Sequence, residues 1–326
     1  MSKTYNWGII GLGKIANKFV KDLKLVEGAN LYAVASRSLE KAKSFSKLYQ
    51  ADKYYGSYKE LAEDPNVDVI YIATPHAFHH ENTLMCLEAG KAVLCEKAFG
   101  MNKREVESMI NKSREKGIFL MEALWTRFIP ATNKVLELLN SGLIGELQSV
   151  RADFGFKAEY DPQQRVFNKQ LGGGSLLDIG IYPIFLSLLT MGVPEKIHAM
   201  AIMSPTGVDN TCMMLFDYNN GKTAALDSSL MVSTPVEGWL HGDKGSLKLH
   251  HRFHHTKKIS HYKDQKLINT YEVDFIGNGY YHEIVEVMIC LKAGAIESKK
   301  LPLSFSLDLI TTLDRVRESI GLTYND

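Results

Sequence analysis

Apolar residues follow two rhythms along this chain. Up to about residue 124, short runs rich in β-branched and aromatic residues recur: YNWGII (5–10), NLYAVAS (30–36), DVIYIAT (68–74), AVLCEK (92–97) and IFLMEA (118–123). Between them lie stretches of helical texture such as LEKAKSFSKLY (39–49) and ENTLMCLEAG (81–90), the latter stopped by Gly90 in the way helices often end. Repeated alternation of strand and helix predicts a doubly wound parallel sheet with helices on both faces. After EALWTRFIPATNKVLELLNSG (122–142), strand-like runs follow one another directly: LQSVRADFGF, KIHAMAIM, TCMMLFDY, TAALDSSL, VEGWLHG and SLKLHH, joined by turn signals such as DYNNGK and GDKG. That succession predicts an antiparallel sheet. Two helical stretches, 280–294 and 307–321, close the chain.

A length of 326 residues exceeds one ordinary core, so the expected organisation is α/β in two domains, 1–124 and 125–326, without a flexible linker, repeat or low-complexity segment. The net charge of +1 supplies no long-range pull toward nucleic acid or an anionic membrane, so any attraction for a small-molecule partner must be local. Cys86, Cys95, Cys212 and Cys290 are scattered without paired spacing, which fits a reducing, cytoplasmic setting and neither a zinc site nor a disulfide framework. The opening MSKTYNWGIIGLG reaches a strand at once, which predicts no signal peptide, and no apolar run reads as long enough to span a bilayer.

WGIIGLGKIANKF (7–19) places G-x-G-x-x-A between a strand and a helix. Gly11 permits the tight turn, Gly13 lets backbone approach a pyrophosphate, and small Ala16 lets helix and strand pack closely. Lys14 and Ile15 open the helix whose N-terminus offers amide hydrogens to phosphates. The second strand ends in AVASRSLEKA, with Ser36 and Arg37 where an NAD site usually has a carboxylate. Nothing there repels a 2′-phosphate, Arg37 can grip one with its planar fork, and Lys41 adds a second charge, so the expected cofactor is NADP.

Two further stretches carry candidate chemistry. KAVLCEKAFG ends an apolar strand with Glu96 and Lys97 at the carboxyl edge of the sheet, where ligands of open parallel sheets bind. GGGSLLDIGIYPIF (172–185) sets Asp178 and Tyr182 four residues apart in an apolar run, on one face if the run is helical. Structural roles also fit both stretches: a surface lysine laid along apolar neighbours, and a core tyrosine beside a turn-capping aspartate. LHHRFHHTKKISH (249–261) has five histidines but no carboxylate or cysteine at useful spacing, and reads as an exposed strand or its turn rather than a metal site.

GLGKIA, ATPHAFHHENTLMCLEAGKAVLCEKA and GGGSLLDIGIYPI together resemble the signature stretches of the glucose-fructose oxidoreductase and inositol dehydrogenase (Gfo/Idh/MocA) family. More narrowly, FLMEALWTRFIPA, LLDIGIY, GVDNT and HGDKGSLKL resemble the dimeric dihydrodiol dehydrogenases and their NADP-linked D-xylose 1-dehydrogenase relatives. The resemblance implies a Rossmann domain followed by an α/β domain with a large open sheet. It assigns catalytic roles to Lys97, Asp178 and Tyr182, with Tyr182 as general acid/base and Lys97 as the cation that favours its phenolate. It places Thr74, His76, His79 and Glu96 along the cofactor, Trp125 and Arg127 at its nicotinamide end, and Trp125, Phe154 and Asp178 at the substrate. Ala98 departs from the family's usual E-K-P, which puts the aim of Lys97 in question. The implied activity is an NADP-dependent dehydrogenase acting on a sugar or cyclic diol hydroxyl without a metal, working as a homodimer through the broad face of the second sheet. An inositol-type polyol dehydrogenase and a non-catalytic NADP-binding regulator are the alternatives.

Overall fold

A computed structural model describes residues 3–324, which form two compact units. The first comprises residues up to Phe128 together with Phe275–Leu307, and the second Ile129–Asp274 together with the segment from Asp308 onward.

In the first unit six parallel strands, β1 (Tyr5–Ile10), β2 (Ala29–Ala35), β3 (Lys53–Tyr55), β4 (Val69–Ile72), β5 (Ala92–Glu96) and β6 (Leu120–Ala123), are ordered β3-β2-β1-β4-β5-β6. That is the doubly wound order, which reverses direction between β1 and β4. The central strands carry near-continuous apolar runs because both faces are covered; Trp7, Ile9, Ile10, Ile70, Tyr71 and Leu94 are fully buried. Helices α1 (Lys14–Leu23), α2 (Leu39–Tyr49), α3 (Tyr58–Glu63), α4 (His79–Glu88) and α5 (Lys103–Lys116) connect them. Helix α5, KREVESMINKSREK, buries only Val106, Met109, Ile110 and Ser113, a narrow stripe in a charged sequence, and Asn102 caps its start by accepting from Glu105 N–H.

The units do not follow the expected division at residue 124. The first runs on to Phe128 and also takes back a segment from the far end of the chain, helix α8 (Tyr281–Lys292) included. The reason is local. The buried Asp22 carboxylate on α1 accepts from Asn278 N–H at 2.8 Å and Tyr281 N–H at 3.1 Å, holding the start of α8, while Leu120 N–H on β6 donates to the Ile296 carbonyl at 3.0 Å.

In the second unit eight strands, β7 (Leu147–Gly155), β8 (Lys196–Met203), β9 (Asp209–Asp217), β10 (Thr223–Ser229), β11 (Gly238–Gly242), β12 (Ser246–Leu249), β13 (Lys258–Lys263) and β14 (Lys266–Glu272), are ordered β14-β13-β12-β11-β7-β10-β9-β8. Every pairing is antiparallel except β7 with β10. Helix α7 (Ile181–Met191) and the wide π-helical turn Leu176–Gly180 before it lie on β7, β9 and β10; helix α6 (Pro130–Asn140) packs toward β13. The opposite face shows Met200, Ile202, Met213 and Leu215, each more than half exposed. Contrary to the expectation from the apolar runs, Lys169–Met191 is long and apolar enough to cross a membrane by composition; 78% of that window is buried inside the protein, as befits a core helix. The last helix, α9 (Leu303–Ile320), begins in the first unit and ends in the second.

Because buried Asp22 accepts from three donors, Asn278 N–H, Asn278 Nδ2–H and Tyr281 N–H, Asp22→Ala is expected to destabilise the first unit by roughly 2 kcal/mol. Urea unfolding followed by tryptophan fluorescence measures it; an unchanged midpoint would show that the cap contributes little.

Candidate active site

The glycine turn after β1 is tight enough to need its glycine. Gly11 has φ +85°, and a Cβ there would lie 2.6 Å from the Ala73 carbonyl and Thr74 nitrogen. Nothing lies within 4 Å of a Cβ built on Gly13, no described side chain caps α1, and its first turn, which includes Lys14 and Ile15, holds no acid. The N-terminal amides and positive dipole end therefore face open space that suits a pyrophosphate. At the end of β2, Ser36 Oγ accepts from Ser38 N–H, and Ser38 Oγ accepts from Lys41 N–H. Arg37 and Lys41 are exposed, and the Arg37 guanidinium lies 5.7 Å from the centre of the Phe78 ring. Two cations and two hydroxyls here could hold the ribose end of a dinucleotide, with the Glu40 carboxylate also in the first turn of α2.

The ends of β4 and β5 are tied together. Buried His79 has Nδ1 2.7 Å from the Ala98 carbonyl and Nε2 2.8 Å from the Thr74 carbonyl, so its ring bridges the two loops; a neutral imidazole donates to one carbonyl and an imidazolium to both. His76 packs edge-on against it, with centroids 5.7 Å apart. Lys97 N–H approaches Glu96 Oε2 at 3.3 Å, Tyr71 donates its hydroxyl to Glu96 Oε1, and the Lys97–Ala98 peptide is cis. Phe99 N–H donates to Glu122 Oε1 at 3.2 Å. Trp125 stacks on Tyr280 with centroids 4.7 Å apart, and Arg127 Nε–H donates to the Lys300 carbonyl at 2.8 Å. Thr74, His76, His79, Glu96 and Lys97 are thus brought to the carboxyl ends of β4 and β5, and Trp125 lies just past the carboxyl end of the edge strand β6.

In the second unit the run 176–191 is helical but irregular. A π-helical turn spans Leu176–Gly180, so Asp178 lies on a wider turn than Tyr182, which sits on α7 beside Pro183, a residue without an amide hydrogen. Asp178, 8% exposed, pairs with Arg165 at 2.9 Å. Tyr182, 6% exposed, lies against two rings: Phe154 at 5.6 Å and His254 at 4.8 Å between centroids, with Phe154 and His254 stacked at 4.6 Å.

His254 corrects the reading of the histidine-rich stretch as an exposed strand or turn. It sits on a short 3-10 turn at 253–255, and it and His261 are each 6% exposed. The one signal in sequence was Phe253, an apolar residue in the middle of a polar run. Arg165, Glu122, Asp209 and Tyr280 also went unmarked, because each acts through a partner distant in sequence. Among the described residues no group of three or more His, Cys, Asp or Glu could hold a metal.

Comparison with known proteins agrees with this arrangement. Residues 5–124 match the oxidoreductase family with an NAD-binding Rossmann fold, and residues 132–248 match the GFO/IDH/MocA C-terminal domain. The chain belongs to the Gfo/Idh/MocA oxidoreductase family. Members of that family similar to this chain include the trans-1,2-dihydrobenzene-1,2-diol dehydrogenases of Mus musculus, 39% identical over 98% of this chain and 97% of that one, and of Xenopus laevis, 37% identical over 98% of both. Among solved structures, a 3-ketoreductase from Actinomadura kijaniata in complex with NADP and TDP-benzene superposes with a TM-score of 0.88 at 25% identity, covering 98% of both chains. An aldose-aldose oxidoreductase from Caulobacter crescentus shares the fold with a TM-score of 0.89 at 23% identity, again over 98% of both. This Gfo/Idh/MocA protein is accordingly an oxidoreductase with an NAD(P)-binding Rossmann domain and a second, mostly antiparallel sheet.

Within the Rossmann domain, burial pushes the Glu122 carboxyl up to about 7, with Glu96 adding to the rise and Ser306, Phe99 N–H and Lys97 opposing it. The unfolded chain would release that proton near the ordinary 4.5, so stability is expected to fall as pH rises from about 4.5 to about 7 and to level off above. Glu122→Gln removes this contribution, so its unfolding midpoint should gain on the parent protein between pH 5 and pH 8. Parallel slopes across that range would show that Glu122 titrates elsewhere.

Proposed function

We propose that this oxidoreductase, which acts on CH–OH groups, is an NADP-dependent dehydrogenase of the D-xylose 1-dehydrogenase or trans-dihydrodiol dehydrogenase type. The observation that carries the reading is the buried Asp178–Tyr182 turn, where a carboxylate and a phenol are held a few residues apart beside the rings of Phe154 and His254. NADP, when bound, supplies the hydride acceptor or donor. The proton belongs to the chain. Tyr182 takes it from the substrate hydroxyl at its phenol oxygen during oxidation and returns it during reduction. A free phenol ionises near 10, too high for a good base at neutral pH, and Lys97 as a cation favours the phenolate. Asp178, held by Arg165, orients a second hydroxyl of the substrate, which suits sugars and vicinal diols. Phe154 and Trp125 supply apolar walls. Arg37 and Lys41 hold the 2′-phosphate, with Ser36 beside them.

Absorbance of the reduced cofactor, followed with NADP and NAD across D-xylose, D-glucose, myo-inositol and a trans-dihydrodiol, tests the whole reading. Tyr182→Phe is expected to lower kcat by a factor of about 10² to 10⁴ while leaving NADPH affinity intact. Arg37→Ala is expected to raise the KM for NADP by a factor of roughly 10 to 100, with little change for NAD. Turnover on myo-inositol alone would favour the inositol-type alternative, and cofactor binding without turnover on any substrate would favour the regulator.

The chain is also proposed to work as a homodimer in the cytoplasm. Support for the dimer comes from the uncovered face of the eight-stranded sheet, where Met200, Met213 and Leu215 line a shallow concavity of about 760 Å³ with Trp239 and Arg151. Covering those side chains is favourable at about 25 cal/mol per Å² of apolar surface. Light scattering is expected to give twice the monomer mass for the parent protein and the monomer mass for Met213→Glu/Leu215→Lys; a monomeric parent would end this part of the reading.

A further inference from the structure

The helix that carries Asp178 and Tyr182 begins at a turn held from below by a residue no functional reading has used. Asp209, on β9, is fully buried, and its Oδ2 accepts from Ser175 Oγ–H at 2.6 Å and from Leu176 N–H at 2.7 Å. Ser175 Oγ also stands 2.9 Å from Ser228 Oγ on β10. The preceding Gly174 is pressed onto the same carboxyl: it has φ +114°, and a Cβ there would lie 2.2 Å from Asp209 Oδ1. Tyr324 donates its hydroxyl to the Gly173 carbonyl, and Gly174 N–H donates to the Val166 carbonyl at 2.8 Å. Val166 follows Arg165, the partner of Asp178, so one turn sets the entry of the helix and the segment that holds its aspartate.

We propose that Asp209 is a positioning residue for Asp178 and Tyr182, its carboxylate fixing the first turn of their helix against β9. This rests on the catalytic reading of Tyr182 given above. Asparagine has the same shape but not the charge: with its amide N–H₂ in the Oδ2 position it could donate only to Ser175 Oγ and would turn a donor toward Leu176 N–H, and in the Oδ1 position the N–H₂ would lie against Gly174. The clamp is also sensitive to protonation. Burial pushes Asp209 up to about 6, while Ser175, Leu176 and nearby backbone N–H groups hold it back. The titratable groups facing it are Tyr324, which stacks with Arg317 of α9, and Cys212 further along its own strand. Below about pH 6 the carboxyl gains a proton and accepts its two donors more weakly, so the turn loosens as pH falls.

The test compares the parent protein, Asp209→Asn, Ser175→Ala and Tyr182→Phe by kcat and KM across pH 5–9 and by NADPH fluorescence titration. Asp209→Asn is expected to lose kcat by about tenfold with unchanged NADPH affinity, and to lose the acid limb of the kcat profile near pH 6 that the parent shows. Ser175→Ala, which removes one donor and keeps the carboxylate, is expected to lose a smaller factor and keep the limb; it decides the matter if Asp209→Asn fails to fold, and an unchanged kcat in it would then overturn the proposal. A parent-like kcat and pH profile in Asp209→Asn, with Tyr182→Phe inactive, overturns the positioning role alone. Full activity in Tyr182→Phe overturns the catalytic reading and this role with it.

Discussion

Buried carboxylates that accept backbone N–H groups hold the turns on which this protein depends. Asp22 receives the N–H groups of Asn278 and Tyr281 at the start of α8. Glu122 receives Phe99 N–H, two residues past Lys97. Asp209 receives Leu176 N–H, two residues before Asp178. Half-buried Asp153 does the same, receiving Val236 N–H at 2.6 Å and Glu237 N–H at 3.1 Å, where Val236 takes up a positive φ. In each case the carboxylate stands on regular structure and the turn that donates to it is irregular. Irregular backbone cannot satisfy its own donors, and a buried N–H without a partner costs as much as a lost hydrogen bond. A carboxylate offers up to four acceptor sites, so one side chain can hold a turn that no ladder reaches.

This division explains what could be read from sequence. Elements that satisfy their own backbone advertise themselves by periodicity. The strand–helix alternation and the G-x-G-x-x-A turn gave the parallel sheet, and α2 spans 39–49 as its helical texture predicts. β3 escaped notice because three residues are too few to show a period, and α5 because only four of its side chains are buried beneath a charged surface. The hairpin of β13 and β14 escaped because β14 is largely exposed and carries no alternation, its turn resting instead on positive φ at Asp264 and Gln265. The return of α8 to the first unit rests on Asp22, 256 residues before Asn278, and no local pattern records such a partner.

The candidate site divides along the same line. Gly11, Arg37, Lys97, Asp178 and Tyr182 stood out because each is an unusual residue for its local surroundings: a glycine at a strand end, a cation where an acid is customary, ionisable groups in apolar runs. Residues that act on these through space did not. Arg165 looked like one more loop arginine, Glu122 like part of an apolar strand, and His254 like one surface histidine among five. His254 shows why a composition-level judgement on a cluster fails: His251 is exposed while His254, three residues on, lies against Tyr182.

Two of these carboxylates, Glu122 and Asp209, are sensitive to pH and hold turns beside candidate site residues. Surface ion pairs such as Glu88 with Lys112 and Lys116 are solvated and contribute little to stability. Glu122 and Asp209 are instead balanced between burial, which disfavours the charge, and backbone donors, which favour it, and the balance leaves them near 7 and near 6. Moving either group toward solvent would release the burial penalty but abandon the turn; removing its donors would raise it further and weaken its hold. In Glu122 and Asp209 the burial that lets the carboxyl reach a backbone turn therefore also raises the pH at which it gains the charge that strengthens its grip. Both groups hold turns that lead to candidate site residues, Glu122 to Lys97 and Asp209 to Asp178, so this tension falls on the backbone that carries the candidate site.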